Sequence, residues 1–420
     1  MIHTIPLLPG ITLRCFPDSR FKQGTLTLQL VRSMYREENA LNALLPAVLL
    51  RGCAQYPDLR SITRHLDDLY GAAVGAVVRR VGDYQTTGLS CGFMEDKYAL
   101  DGDQVLAPML TFLGQLLLEP VLENGAFRAD YVESEKRNLI FAIESQRNDK
   151  RLYAGARLTE HMCKADSFGI PRLGTVEQVA AITPKSLYDH YRKILTDSPI
   201  ELFYVGAADP NAVAGYLRQI LAPVTRCPMM LPAQTAFHDG GMGEYTEQME
   251  VAQGKLCMGF TTPITLRCRE FPAMQVFNTI FGAGMTCKLF MQIREKMSLC
   301  YDISSGYHGS KGILTVSAGI DCKDNELVQA EILRQLEACQ TGDITDAELS
   351  AAKQALISQL QATHDSPGAI EGYYATAVLS GLTLTPESYR QAVEAVTRED
   401  VVAAARSLQK HTVYFLKGVQ

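Results

Sequence analysis

Histidine residues are the first candidates for metal binding or general-base chemistry in this chain. Eight are present in 420 residues, and no two of them lie within five residues of one another. Two imidazoles on one helix bind zinc when they are spaced i and i+4, because that spacing places both on one face. The spacing therefore excludes a local two-histidine motif and leaves only a site assembled from distant residues. The histidines are His3, His65, His161, His190, His238, His308, His364 and His411.

The cysteines do not supply another centre. Eleven are spread from Cys15 to Cys339, and no pair has the C-x-x-C spacing. Neither a zinc ribbon nor a thiol redox motif is therefore predicted. An odd number of scattered thiols is typical of a reduced, cytoplasmic protein in which most cysteines are buried. Cys300 is expected to be one of these buried thiols.

Composition and charge restrict the class of protein further. The apolar fraction of 47% and the charged fraction of 20% are those of an ordinary globular protein. A net charge of −6, with no basic run, argues against binding to nucleic acid or an anionic membrane. The first ten residues lack a basic region and contain two prolines, unlike a signal peptide. We expect a cytoplasmic protein with no membrane span and, lacking a metal or phosphate-binding motif, no cofactor.

The helices and strands that would position a site recur in the two halves of the sequence. Three pairs of segments recur in the same order, with offsets of 217, 214 and 212 residues. The first pair shows apolar residues at helical spacing, the second has a threonine suited to cap a helix, and the third is a short β run closed by glycine. The pairs are 136–143 with 353–360, 182–188 with 396–402, and 199–206 with 411–418.

This repeat predicts the fold class. Residues 25–31, 74–81 and 88–93 alternate as strands do, whereas the later part of each half is rich in helical periodicity. Strands first and helices afterwards indicate two α+β domains, each a largely antiparallel sheet with helices packed on one face. Three prolines and a glycine cluster lie between them. We predict an N-terminal domain at 1–222, a linker at 223–245 and a homologous C-terminal domain at 246–420.

Residues 278–301, with the sequence NTIFGAGMTCKLFMQIREKMSLCY, make a family resemblance visible. The segment resembles the passage from a glycine-containing turn through LF and REK to a tyrosine in the insulinase/pitrilysin superfamily of zinc peptidases, the inverzincins. The resemblance extends over nearly the whole chain. It implies two homologous halves with the LuxS/metallopeptidase-like fold, arranged as one half of a clamshell.

In this family an H-x-x-E-H helix binds zinc through both histidines, uses the glutamate between them as general base, and takes a third ligand from a distant glutamate. The family pattern, counted back from Gly52, puts Ala43 and Ala47 at the histidine positions and Pro46 at the glutamate position. The third ligand position falls on Ile143, one residue before Glu144. The resemblance therefore implies no catalytic residue and no metal ligand in this chain.

Two residues match functional positions of the second half. In active relatives an arginine and a tyrosine seven residues apart bind the substrate near the scissile bond, and here they are Arg294 and Tyr301. A guanidinium offers a fork of hydrogen bonds, and a phenol offers one more to a developing oxyanion. The alternative is that Arg294 pairs with a nearby carboxylate and Tyr301 packs in the sheet.

The leading hypothesis is a non-catalytic subunit that binds a peptide or protein substrate and pairs with a zinc-bearing H-x-x-E-H sister chain. The alternatives are a binding scaffold with no proteolytic role and a peptidase with a relocated metal site. A narrower resemblance is to a bacterial subgroup of inactive members, named for association with the 5-aminopentanol modification of elongation factor P. That resemblance rests on residues 56–58, 66–71, 148–150, 153–154 and 294–301.

Overall fold

The computed structural model describes residues 2–284 and 286–418. The strands are β1 (His3–Leu8), β2 (Ile11–Pro17), β3 (Gln23–Ser33), β4 (Ala73–Val81), β5 (Tyr84–Met94), β6 (Leu122–Glu123), β7 (Ala126–Phe127), β8 (Ile200–Gly206), β9 (Gly243–Met249), β10 (Gly254–Thr261), β11 (Cys300–His308), β12 (Ile313–Ile320) and β13 (Gln409–Gly418). The helices are α1 (Asn39–Leu49), α2 (Leu59–Asp68), α3 (Leu106–Leu118), α4 (Ala129–Asn148), α5 (Lys150–Met162), α6 (Val176–Ala180), α7 (Pro184–Asp197), α8 (Pro210–Leu221), α9 (Phe271–Asn278), α10 (Asn325–Thr341), α11 (Asp346–Ala362), α12 (Pro367–Ser380), α13 (Pro386–Ala395) and α14 (Arg398–Arg406).

These elements form two compact units. The first unit contains the chain up to Glu144, together with Arg172–Ala233 and His364–Thr376. The second unit contains Ser145–Pro171, Gln234–Thr363 and the chain from Ala377 onward. Each unit therefore includes a segment from the opposite half of the sequence.

The two sheets repeat one topology. The first sheet has the order β1-β2-β8-β3-β5-β4, and the second, read from its other edge, has the order β9-β13-β10-β12-β11. In both, one strand pair is parallel, β2 with β8 and β9 with β13, and all other neighbours are antiparallel. With β1 set aside, the orders correspond strand for strand. The prediction of α+β halves with mainly antiparallel sheets is confirmed.

The core of the first unit lies on one face of its sheet. Leu26, Leu28 and Leu30 alternate along β3 and belong to the buried cluster that also includes apolar residues of α1, α3, α7 and α8. Because alternate strand residues point to opposite faces, the intervening residues of β3 point away from this helical layer. Helices α7 and α14, which the sequence repeat predicted, begin at the expected threonines. Thr183 and Thr397 each form a capping box with the residue three positions later.

The predicted ranges 1–222 and 246–420 describe the sequence repeat, whereas the compact units exchange one helix in each direction. Helices α5 and α12 hold corresponding places, because α5 follows α4 as α12 follows α11. Helix α5 packs on β10 and β13 in the second unit, and the first part of α12 belongs to the first unit. Residues 224–242, within the predicted linker, form neither helix nor strand. No described helix is long and apolar enough to cross a membrane.

Candidate functional site

Helix α1 carries the three positions at which the resemblance places the H-x-x-E-H motif. Ala43 and Pro46 are buried, and Ala47 is half-buried. A methyl group and a pyrrolidine ring have no atom that can donate electrons to zinc or accept a proton. The residues present do not fit a zinc ion, and no step of a metal-dependent reaction can be assigned to them.

Pro46, within α1, removes one hydrogen bond of the helix, and a side chain of the sheet replaces that bond. Pro46 has no backbone N–H, so the carbonyl of Asn42, one turn earlier, loses its helical hydrogen bond. The hydroxyl of Thr87 on β5 donates to that carbonyl oxygen over 2.7 Å instead. At the position where the resemblance places the general base, Pro46 leaves the carbonyl of Asn42 to accept a hydrogen bond from the sheet.

A buried polar network continues from the side chain of Asn42. Its Nδ2 donates to Oε1 of Gln85 over 2.9 Å, and Nε2 of His190 lies 2.7 Å from its Oδ1. Gln85 donates in turn to the carbonyl oxygens of Asn39 and Arg172. Burial lowers the pKa of His190 to about 4, so the ring is neutral at physiological pH and serves the network as a hydrogen-bond donor. Sequence reasoning missed this network because its members are far apart in the chain.

Adjacent threonines of β5 allow the carbonyl bond to be tested. We expect Thr87→Val to lower the free energy of unfolding by about 1–3 kcal/mol, because the buried carbonyl of Asn42 would lose its donor. Thr86 is equally buried, but its hydroxyl has no hydrogen-bond partner among the residues that the structure describes. Thr86→Val should therefore be neutral or stabilising. Urea unfolding of both variants measures the difference, and equal losses would contradict the role given to Thr87.

The position that the resemblance assigns to the third ligand lies on α4. Ile143 is half-buried and packs against the core of the first unit. Glu144, one residue further, is exposed. Across residues 2–284 and 286–418, no group of three or more histidine, cysteine, aspartate or glutamate side chains is arranged to hold a metal ion.

Arg294 lies in a wide helical turn of the second unit. Residues Phe290–Lys296 form a π-helix, with the N–H of Met297 bonded to the carbonyl of Gln292 five residues earlier over 3.0 Å. The guanidinium of Arg294 lies over the ring of Phe290, 4.7 Å from its centroid, and its Nε is 3.8 Å from a carboxylate oxygen of Glu295. Such turns are rare and concentrate at functional sites. The side chain is 44% exposed, so its hydrogen-bond donors are accessible.

Tyr301 occupies an accessible place on the strand that follows. Strand β11 is the outermost strand of the second sheet, and its pairing with β12 shifts register between Cys300 and Asp302. Tyr301 lies in this bulge and is 58% exposed. Bulges re-aim side chains and are frequent at sheet edges beside binding sites. The expectation that Tyr301 packs within the sheet does not describe its side chain.

The backbone between the two residues is held in an unusual conformation. Ser298 has a φ of 54°, in the left-handed region that costs free energy for any residue except glycine. The N–H of Leu299 closes the turn on the carbonyl of Ile293 over 3.0 Å. Cys300 is buried, which raises its pKa to about 11, so it is not a nucleophile.

Comparisons with known proteins agree with this architecture. The family described as "Peptidase M16 inactive domain" matches residues 181–356. The "Probable inactive metalloprotease YmfF" of Bacillus subtilis strain 168 is 31% identical over 411 residues, which cover 98% of this chain and 96% of that protein. A conserved protein from Enterococcus faecalis V583 superposes with a TM-score of 0.93 at 29% identity, covering 100% of this chain and 99% of the other. A Pseudomonas fluorescens structure described as a peptidase M16 inactive domain shares the fold, with a TM-score of 0.83 at 18% identity and coverage of 100% and 98%.

The chain belongs to the M16 family of peptidases. One relative that it matches over almost its full length carries a name that describes it as a probable inactive metalloprotease. The resemblance to zinc peptidases predicted from residues 278–301 is thereby confirmed.

Proposed function

We propose that this chain is the non-catalytic, substrate-binding subunit of a two-chain M16 peptidase. A sister chain with an intact H-x-x-E-H motif would supply the zinc ion and the general base. The observation that carries the proposal is an asymmetry between the two halves. The positions assigned to zinc ligands on α1 and α4 hold residues without coordinating atoms, whereas Tyr301 is accessible on a sheet edge and Arg294 is accessible on the helical turn that precedes it.

The chemistry of this edge suits an extended peptide. An outer strand presents backbone N–H and C=O groups to which a peptide can add as a further strand, and side chains nearby determine which peptide is accepted. Strand β11 is such a strand among the described residues. The guanidinium of Arg294 would donate to a peptide carbonyl, and the phenol of Tyr301 would donate to the carbonyl oxygen as negative charge develops on it.

Reconstitution with a zinc-bearing M16 chain from the same genome tests the proposal. We expect the mixture to cleave a peptide library that neither chain cleaves alone. Arg294→Ala and Tyr301→Phe should each lower kcat by about 100-fold, because each removes a donor to the transition state. Lys296→Ala, an exposed cation on the same helical turn, should leave the rate unchanged.

The outcomes separate this proposal from its alternatives. Full activity in both variants would contradict the role of Arg294 and Tyr301. A stable complex without cleavage would contradict the catalytic pairing and support a binding scaffold. Stoichiometric zinc in the purified chain, lost with activity on chelation, would instead indicate a peptidase with a relocated metal site. The subgroup resemblance makes elongation factor P the first protein substrate to include in these assays.

A further inference from the structure

A buried carboxylate lies on the first unit's sheet, far from α1 in the sequence. Glu371, on the first part of α12, is 3% exposed. One carboxylate oxygen accepts from Thr27 Oγ1 at 2.8 Å, from Gln29 Nε2 at 3.0 Å and from Arg79 Nη1 at 2.8 Å. The other accepts from Arg79 Nη2 at 2.9 Å. A bidentate guanidinium with two neutral donors is an arrangement that binds a carboxylate strongly.

Strand register places these donors on one face of the sheet. Arg79 on β4 is opposite Thr86 on β5, and Thr86 is opposite Val31 on β3. Residues opposite each other share a face, and Val31 shares its face with Thr27 and Gln29 because strand side chains alternate. The donors therefore lie on the face away from the helical layer, on two strands that do not adjoin.

The position in the second unit that corresponds to Glu371 holds an uncharged residue. Helices α5 and α12 both begin 21 residues after the start of the preceding helix, so Ala154 of α5 corresponds to Glu371. Ala154 is fully buried in a cluster with Cys257, Tyr414 and Leu416. At this position the second unit packs its helix on the sheet through apolar contacts, whereas Tyr153 and Arg157 elsewhere on α5 bond the carboxylate of Glu247. Because the contact at Ala154 itself needs no carboxylate, packing at this position does not explain Glu371.

The helix that carries Glu371 is intrinsically weak. Gly368 and Gly372 lie within its first two turns, and a Cβ at either position would meet open space. Glycine in a helix interior is disfavoured by about 1 kcal/mol relative to alanine. The segment also contacts the first unit through the stacking of Tyr374 on Phe16, with ring centroids 4.5 Å apart.

We infer that Thr27, Gln29 and Arg79 form a carboxylate-binding site on the first unit's sheet, and that Glu371 is its intrachain occupant. The site recognises a single carboxylate of the kind that a glutamate side chain presents. The three donors are held by β3 and β4, so the site keeps its arrangement when Glu371 is removed. The inference does not depend on the pairing or peptidase role proposed above.

Chemical rescue of the full chain tests the site. Glu371→Ala deletes one methylene and the carboxylate, which together match acetate. We expect this variant to lower Tm by about 2–6 °C, because it leaves the buried donors of Thr27 and Gln29 without their carboxylate acceptor, while the Arg79 guanidinium is 35% exposed and can be solvated. Sodium acetate should then raise Tm by about 3 °C at ten times its dissociation constant, since a ligand of the folded state stabilises it.

Controls distinguish a site from a general salt effect. Acetamide and sodium chloride at equal concentration should give no rescue, and acetate should not stabilise the wild-type chain, whose site is filled. The double variant Arg79→Met with Glu371→Ala should not respond to acetate. Equal responses to acetate, acetamide and chloride, or rescue in the double variant, would overturn the inference. If Glu371→Ala does not fold, the isosteric Glu371→Gln replaces it, and an unchanged Tm in that variant would also overturn the inference.

Discussion

Asp166→Ala is expected to lower the free energy of unfolding by about 3–5 kcal/mol. Asp166 and Lys311 form an ion pair in the second unit with a shortest separation of 2.9 Å, and their side chains are 1% and 0% exposed. The carboxylate of Asp166 also accepts the backbone N–H groups of Phe168 and His238. The substitution leaves a buried ammonium without its counterion and two amides without their acceptor. Urea unfolding followed by circular dichroism measures the loss.

Two further variants show whether the cost comes from the unpaired charge. Asp189→Ala breaks an exposed ion pair with Lys185 and should cost well under about 1 kcal/mol. Combining Asp166→Leu with Lys311→Met removes both charges and should cost less than the sum of the two single changes. Additive losses, or a loss at Asp166 no larger than at Asp189, would contradict the assignment of a buried, coupled pair.

Acidification is expected to destabilise the chain by about 3 kcal/mol through His190 alone. Burial lowers the pKa of this residue from 6.5 to about 4 in the folded protein. Between these values the unfolded chain binds a proton that the folded chain does not, so stability falls as pH decreases. The contribution is complete above pH 6.5 and is lost as pH falls toward 4, at about 1.4 kcal/mol for each pKa unit. Urea midpoints measured at half-unit intervals from pH 7.5 to 4 follow the loss.

A non-titrating variant isolates this contribution. His190→Gln retains a donor for Asn42 and should flatten the dependence of stability on pH between 4 and 6.5. Burial also lowers the pKa of His65 and His161, so a smaller slope of the same sign will remain. An identical slope in His190→Gln and the wild-type chain would show that the ring is not the titrating group.

Local patterns allowed much of the fold to be predicted from sequence. The alternation in residues 25–31 predicted a strand that the structure extends to Gln23–Ser33. The threonines at 183 and 397 predicted helix starts because their side chains satisfy backbone N–H groups of the first turn. The recurrence of segments predicted the shared sheet topology, since similar sequences form the same succession of elements.

The remaining features depend on contacts between distant residues. The donor that replaces the bond lost at Pro46 comes from Thr87 on another element, and nothing near Pro46 in the sequence indicates it. The wide turn around Arg294 has the composition of an ordinary helix. Glu371 is one acidic residue among many, and only the strand register shows that three donors converge on it. Periodicity reports which face an element buries, but not which polar partner it meets there.

The exchange of helices between the two halves has a consequence for synthesis. The first unit is complete only when its last segment, His364–Thr376, has been made. At translation rates of about 5–20 residues per second, the 143 residues that separate Ala233 from Thr376 take roughly 7–30 s to emerge. During that interval the face of the nascent sheet that carries Thr27, Gln29 and Arg79 lacks its covering helix and can be reached by chaperones. Because synthesis runs from the N-terminus to the C-terminus, this face of the sheet stays uncovered until residues 364–376 have been made.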